Sequence, residues 1–412
     1  MKTENVDVLV IGAGPAGTIA AAMINKQGFN VKIVEKELFP RFVIGESLLP
    51  RVMDHLDEAG LLERVKAEKF QEKFGAKFIR GAEICDYNFA EQFSNGWKWT
   101  WQVPRAQFDK VLADEVAKQG VSVEFQSAVK AIEFNGTDSV TTITQANGED
   151  KKIEARFIVD ASGYGRVIPR LFNLDKPSNF KPKRSHFSHF TDSKRPPGVD
   201  GNRITIIVHD LNTWIWIIPF SNGTTSVGYV GNPEFYKELT GEPIELMRVL
   251  CSMNENTAER FKDQEMVMTP RSIEGYSIST KQLYGDGFVL CGNATEFLDP
   301  VFSSGVTLAM ESGNRAAKMV SSFLKNQPVD WEKDYTKYMM QGIDTFRSYV
   351  MGWYDGSLHD VFFSKSTNAE IKEQICSVLA GYVWDLDNPF VKKHEQLLQT
   401  LSKVIRIEST IK

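Results

Sequence analysis

The chain has 412 residues, 42% of them apolar, and a formal net charge of −5; at roughly 150 residues per domain there is room for two or three domains and a sizeable core. The negative balance excludes a broadly basic nucleic-acid surface, leaving only local patches such as Lys181–Arg184 for an acidic partner. No basic flank with an apolar run opens the chain and no apolar run is long enough to span a bilayer, and Cys85, Cys251, Cys291 and Cys376 are too scattered for a zinc site or a disulfide framework, so a cytoplasmic protein without an integral membrane segment is expected.

Val6 to Ile11 is an apolar run, Thr18 to Gln27 is helical with Ala20, Ala21 and Ala22, and Val31 to Val34 is apolar again, which makes a strand, helix, strand unit. Between the first two stands Gly12-Ala13-Gly14-Pro15-Ala16-Gly17. Gly12 permits the turn, Gly14 leaves room for a pyrophosphate, and Gly17 lets the helix pack close to the sheet. An anion then rests on free N–H groups at the helix N-terminus, beside Pro15 and Ala16. Glu35, ending the second strand beside Lys36, is placed to bind an adenosine ribose and disfavours a 2′-phosphate. A dinucleotide site is the expectation.

Gly45-Glu46-Ser47 leads into a predicted helix from Pro50 to Glu68, with Glu46 and Ser47 facing the cofactor, and short strands with Phe74, Phe78, Trp97, Trp99 and Trp101 follow. Arg105 to Gln119 reads as a helix, Val121 to Ile143 as strands, and Phe157 to Asp160 as a buried strand ending in Ala161-Ser162-Gly163. From Pro177 to Thr280 the pattern turns β-rich, with a helix near Pro243 to Met253. A buried strand returns at Phe288 to Leu290, followed by a helix from Val306 to Leu324 and a mostly helical tail from Trp331. The fold class is therefore α/β (α+β): a Rossmann-like domain over 1–176 and 281–330, an inserted antiparallel β-sheet substrate domain over 177–280, and a helical region over 331–412. In 1–176, the strands near 70–101 face the substrate side.

A nucleotide fold that closes more than 250 residues after it began fits FAD better than the smaller NAD. Gly292-Asn293-Ala294 and Asp299-Pro300 resemble the Gly-Asp-Ala and Asp-Pro turns of the aromatic-hydroxylase flavoproteins, with asparagine replacing aspartate. Asn293 still accepts a ribityl hydroxyl but loses charge-assisted strength. Free N–H groups at Ser303, Ser304 and Gly305, opening the Val306 helix, suit the negative charge of a reduced flavin. Arg105-Ala-Gln-Phe-Asp109 and Asp160-Ala-Ser-Gly163 resemble further segments of that superfamily, which implies that Arg105 and Asp160 lie near the cofactor; Arg105 is equally suited to a salt bridge with Asp109.

Three features narrow the resemblance to flavin-dependent halogenases of the phenol and pyrrole type. Trp214-x-Trp216-x-Ile218-Pro219 alternates so that both tryptophans and Ile218 share one strand face, which in that family keeps organic substrate from the flavin. Phe70-Gln-Glu-Lys73-Phe74-Gly75-Ala76-Lys77-Phe78 resembles the segment around the family's essential lysine, which implies that role for Lys73, although Lys77 shares its face by alternation. A lysine among phenylalanines should have a lowered pKa, suited to capturing or hydrogen-bonding hypohalous acid. Asp299-Pro300-Val301-Phe302-Ser303-Ser304-Gly305-Val306 resembles the stretch where a halide sits on backbone N–H groups, here those of Ser304 and Gly305; Phe302 replaces the glutamate of tryptophan-acting members.

The resemblance implies that FADH2 from a separate flavin reductase reacts with O2 to a C4a-hydroperoxide, that halide attacks it, and that hypohalous acid passes Trp214 and Trp216 to Lys73. Ser303 joins these in the implied catalytic set, and Pro300, Gly305 and Val306 join the cofactor set. The acceptor is a small phenol or pyrrole, free or on an acyl carrier protein that meets Lys181–Arg184. An aromatic hydroxylase, or a polyene or prenyl reductase, shares fold and cofactor without needing Lys73, and a flavin-binding scaffold is the third reading. His186-x-x-His189 reads as surface or core histidines rather than a metal site. Phe346, Tyr349, Trp353, Tyr354, Phe362 and Phe363 suit a substrate tunnel or packing equally.

Overall fold

The computed structural model describes residues 3–411 apart from 179, 238, 240, 366 and 367. The N-terminal strand Thr3–Ile11 lies inside a parallel array that runs, by neighbour, Ser122–Glu124, Val31–Val34, Thr3–Ile11, Asp150–Asp160, Phe288–Leu290. It reads as a continuous apolar run because both of its faces are covered. Val8 and Val10 enter the helical core, whereas Leu9 and Ile11 enter a smaller cluster with Ile132, Ile143 and Ile153 beneath the Ala128–Asn135 and Asp138–Thr144 hairpin.

The helix Pro15–Asn25 packs against the long helix Ser304–Leu324 through small residues. A Cβ on Gly313 would meet the Ala16 carbonyl oxygen at 2.3 Å, so the approach is as tight as glycine allows. The helix predicted from Pro50 to Glu68 is instead two, Val52–Ala59 and Leu62–Lys66. Gly60 adopts φ 73° and ends the first, the left-handed cap that a helical apolar pattern does not reveal.

A second sheet of seven strands runs Arg271–Glu274, Arg184–Thr191, Thr224–Gly231, Trp214–Pro219, Ile204–Val208, Gly75–Arg80, Glu83–Asn88. Five of the six pairings in this sheet are antiparallel; Ile204–Val208 runs parallel to Gly75–Arg80 and thereby joins the early segment to the later one. Asp175–Pro177 pairs with Ile278–Thr280, so the two ends of the β-rich stretch meet in a two-stranded neck.

The C-terminal helices, among them Tyr338–Asp355, Ser357–Phe362 and Ala369–Leu379, close over the second sheet. Phe362 and Trp353 lie 4.7 and 5.9 Å from Phe78, ring centre to ring centre, and Phe302 stands edge-on to Tyr349 and Trp353. Phe346, Tyr349, Trp353, Phe362 and Phe363 are all buried in the main core, which makes them packing residues here.

One ion-pair cluster ties the helices Val52–Ala59 and Tyr338–Asp355 to the long helix Ser304–Leu324. Glu311, buried in the long helix, accepts from Arg51 Nε at 2.9 Å and Nη2 at 3.2 Å and from Tyr338 Oη at 2.6 Å, and contacts His55 Nε2 at 2.9 Å. Burial opposes its charge, but His55 and Arg51 prevail and hold the carboxyl far below the usual range. A depressed carboxyl contributes stability above its unfolded pKa and loses it as pH falls through the folded one. Glu311→Ala should therefore cost about 3–5 kcal/mol at neutral pH, measured by chemical denaturation, and should flatten the parent's loss of stability on acidification; an unchanged midpoint and acid limb contradict this.

Candidate active site

A cavity of about 530 Å³ lies where the parallel sheet meets the second sheet. One end is the turn after the first strand. Gly12 sits at φ 100°, where a Cβ would lie 2.5 Å from the Ala161 carbonyl oxygen, and a Cβ on Gly17 would lie 2.0 Å from that of Gly12. Gly12, Gly14, Pro15 and Ala16 line the cavity; Gly17 does not, and serves the packing of the turn. No side chain caps the helix that starts at Pro15, which leaves its first N–H groups for an anion.

Glu35 and Lys36 line the same end. Glu35 accepts from Ala13 N at 2.9 Å and Glu37 N at 3.0 Å, so it braces the glycine turn while facing the cavity. Arg105 makes the salt bridge expected of it and also lines the cavity. It pairs with Asp109 through Nε at 2.8 Å and Nη2 at 3.0 Å, donates Nη1 to the carbonyls of Ile44 and Gly45, and lines the cavity. Asp160 departs from expectation. Its carboxylate accepts from Ser162 N at 3.0 Å and Ile168 N at 2.7 Å and does not line the cavity, because both oxygens are spent on holding the Ala161–Gly163 turn that does.

Gly292, Asn293, Pro300, Ser303, Gly305 and Val306 line the same cavity. The helix that begins at Ser304 has no side-chain cap, since Ser303 is left-handed at φ 58°. Its first-turn N–H groups are thus free for negative charge. Ser304 itself is buried and its side chain lies outside the lining. The sequence offered no signal for Arg166, which is buried at φ 46° and donates to the carbonyls of Asn293, Ala294 and Ser279 and to Asp175. It fixes the Gly292–Ala294 turn from behind.

Trp214, Trp216 and Ile218 line the cavity together with Ile204 and Ile206 of the adjacent strand, which makes an apolar partition. The indoles are 6.0 Å apart; Trp214 Nε1 donates to Tyr354 Oη at 3.0 Å and Trp216 Nε1 to Ser226 Oγ at 3.0 Å. Each buried N–H is satisfied, so each ring is fixed. Glu46 lines the cavity too, with its Oε1 2.6 Å from His189 Nε2. His189, read from sequence as a bland histidine, thus stands beside the site through this carboxylate. Among the described residues no cluster of His, Cys, Asp and Glu could hold a metal.

Lys73 is 2% exposed on the strand Gln71–Lys73, which pairs with Thr100–Gln102. Its Nζ donates to Ser47 Oγ at 2.8 Å and Leu48 O at 2.7 Å and lies 5.4 Å from the centre of the Phe89 ring. Burial, with a smaller push from Arg203, lowers its pKa to about 7. Lys73 does not line the cavity, but its partner Ser47 does. Lys77 does not share its face. It lies on the separate strand Gly75–Arg80 in the other sheet, and its ammonium pairs with the exposed Asp200. The chain breaks strand at Phe74, so alternation does not run from one lysine to the other.

Two uncapped helix ends, a cradle that a Cβ would fill, and a ribose-side carboxylate fit an FAD. Residues 5–334 match the family described as FAD binding domain. The chain is 31% identical over 386 residues to the 1H-pyrrole-2-carbonyl peptidyl-carrier-protein chlorinase of Pseudomonas fluorescens, covering 86% of this chain and 83% of that one. It is 27% identical to the corresponding brominase of Pseudoalteromonas luteoviolacea, covering 93% of this chain and 94% of that one. Among solved structures, a flavoprotein/dehydrogenase from Cytophaga hutchinsonii is 65% identical with a TM-score of 0.97, covering 98% of this chain and all of that one, that is 100%. A flavin-dependent brominase is 25% identical with a TM-score of 0.85 over the same shares, 98% and 100%. With the FAD cradle, the tryptophan partition and these relatives together, the chain belongs to the flavin-dependent halogenases and is an FAD-dependent oxidoreductase.

Proposed function

We propose that this enzyme uses reduced FAD, O2 and chloride or bromide to halogenate an electron-rich phenol or pyrrole, free or tethered to a carrier protein, with Lys73 delivering the halogen. The observation that carries the reading is an amine sealed from water, with no carboxylate partner among the described residues, one hydrogen bond from the cofactor cavity through Ser47.

Bound and reduced, FAD supplies the two electrons with which O2 becomes an oxidant of halide. The chain's own residues do the rest. Gly12, Gly14, Pro15 and the free N–H groups of the helix N-terminus, that of Ala16 among them, would hold the pyrophosphate, and Glu35 the ribose. Halide rests on the free N–H groups of Ser304 and Gly305. Trp214, Trp216 and Ile218 exclude organic substrate from the cofactor side. Lys73 either donates a hydrogen bond to hypohalous acid or takes its halogen as a neutral amine, releasing water, and passes it to the arene. Ser47 Oγ and the Leu48 carbonyl point the nitrogen lone pair or remaining proton.

A carrier-bound acceptor is supported by the names of the Pseudomonas and Pseudoalteromonas relatives. The basic stretch proposed to meet a carrier is narrower than Lys181–Arg184. Lys183 is buried, with its ammonium 3.8 Å from the centre of the Tyr354 ring, which leaves Lys181 and Arg184 on the rim. A separate flavin reductase supplies the reduced cofactor in this reading. Hydroxylases and reductases share the fold, and the 65% identical structure is called a dehydrogenase; neither chemistry has a use for Lys73.

The test is mass spectrometry of phenolic, pyrrolic and indolic acceptors after incubation with the enzyme, FAD, a flavin reductase and bromide. The parent should add bromine; a gain of oxygen alone establishes a hydroxylase instead. Lys73→Ala should take up FAD and consume reduced flavin as the parent does while product falls on the order of 100-fold or more. Lys73→Arg, charged at every working pH, should not restore it.

The pH profile separates the two roles of the amine. Because the folded pKa is about 7, the neutral amine gains ground as pH rises through that value. Halogen capture by the amine predicts a product rate that climbs through pH 7 at constant consumption of reduced flavin. A rate that instead falls through pH 7 assigns the ammonium as donor, and a profile with no limb there contradicts a titrating Lys73.

A further inference from the structure

Trp214 is held by a residue that lies outside the FAD-binding match at 5–334. Its indole N–H donates to Tyr354 Oη at 3.0 Å, and that hydroxyl donates to Asp299 Oδ2 at 2.9 Å. The direction is forced: an indole nitrogen only donates, so the single hydroxyl proton goes to the carboxylate. The other oxygen, Asp299 Oδ1, accepts from Val301 N at 3.0 Å and caps the turn Pro300–Phe302, which runs into Ser303 and the uncapped helix. Lys183 Nζ sits 3.8 Å from the centre of the Tyr354 ring and pins the ring from its face. Trp214 and Asp299 are buried, so neither end of this chain of bonds finds water as a substitute.

We propose that Tyr354 is a positioning residue of the reaction site: its hydroxyl locks the Trp214 indole to the Asp299–Ser303 turn, so that the C-terminal helix Tyr338–Asp355 sets the position of the tryptophan wall of the cofactor cavity. Two walls of the cavity, one from the second sheet and one from the turn before the long helix, are joined by this hydroxyl. The chain of bonds is also a sensor. Asp299 is raised to about 6 by burial, against the opposing pulls of the Val301 N–H, Tyr354 and Lys183; Tyr276 and Tyr164 face it as well, and Asp210 faces Lys183. Loss of the Tyr354 donor raises it further.

The experiment uses the full-length, FAD-loaded enzyme labelled with nitrogen-15 at the tryptophan indoles, with the Trp214 resonance identified by Trp214→Phe. In the parent the Trp214 indole N–H should shift with a midpoint near pH 6, reporting Asp299 through Tyr354. Tyr354→Phe keeps the ring and its contact with Lys183 and should abolish that shift. Asp299→Asn should abolish it with Tyr354 in place. In turnover, Tyr354→Phe should bind FAD within twofold of the parent and consume O2 at the parent rate, while halogenated product per O2 falls several-fold. A Trp214 resonance that titrates identically in Tyr354→Phe, or that does not titrate in the parent, overturns the proposal. Absence of halogenated product from the parent would sink the halogenase reading alone, because the resonance measurement stands without it.

Discussion

A lysine amine buried with no counter-charge among the described residues is the constraint on which the site turns. Lys73 has two acceptors, Ser47 Oγ and the Leu48 carbonyl, and an aromatic face at Phe89. None carries a negative charge, so the charged form is penalised and the amine is brought to about 7. A core evolved for stability alone would place a leucine or methionine there. The segment that supplies both acceptors also supplies Glu46 and Ser47 to the cofactor cavity, which makes the amine and the cavity parts of one local structure.

Around that segment the fold arranges the walls of one cavity. The parallel sheet ends in glycine turns and uncapped helices, which suit a large anionic cofactor. The second sheet lends a strand whose alternation puts two indoles and Ile218 on the cavity side and Ile215 and Ile217 into a separate core. The C-terminal helices then seal the outer side with aromatic packing and reach back to the partition through Tyr354. The Glu311 cluster ties the C-terminal helix Tyr338–Asp355 to the long helix, far enough along the latter to leave its N-terminus free.

Much of this was legible before any coordinates, for physical reasons. The Gly12 to Gly17 spacing is legible because Gly12 and Gly17 each meet a steric demand that no other residue satisfies, while Gly14 lines the cavity, where a Cβ would meet only Arg41 Nη2 at 3.8 Å. The Trp214 to Ile218 alternation survives because a strand has a period of two. Other features escaped. Phe74 ends one strand and Gly75 starts another in a different sheet, so a run that reads as continuous alternation put Lys77 beside Lys73 wrongly. Asp160 was assigned to the cofactor by resemblance, whereas its geometry spends it on backbone N–H groups. Arg166, His189 and Tyr354 act through partners distant in sequence, and no local pattern announces such partners.

The central claim is that Lys73 is an amine poised near neutrality inside the protein. The most direct measurement is a carbon-13 NMR pH titration of the enzyme labelled at lysine Cε, with the Lys73 resonance identified by its loss in Lys73→Arg. A midpoint near 7 is the predicted result. A midpoint near 10.5, the ordinary lysine value, would mean that the group is solvated or paired, and would contradict the account.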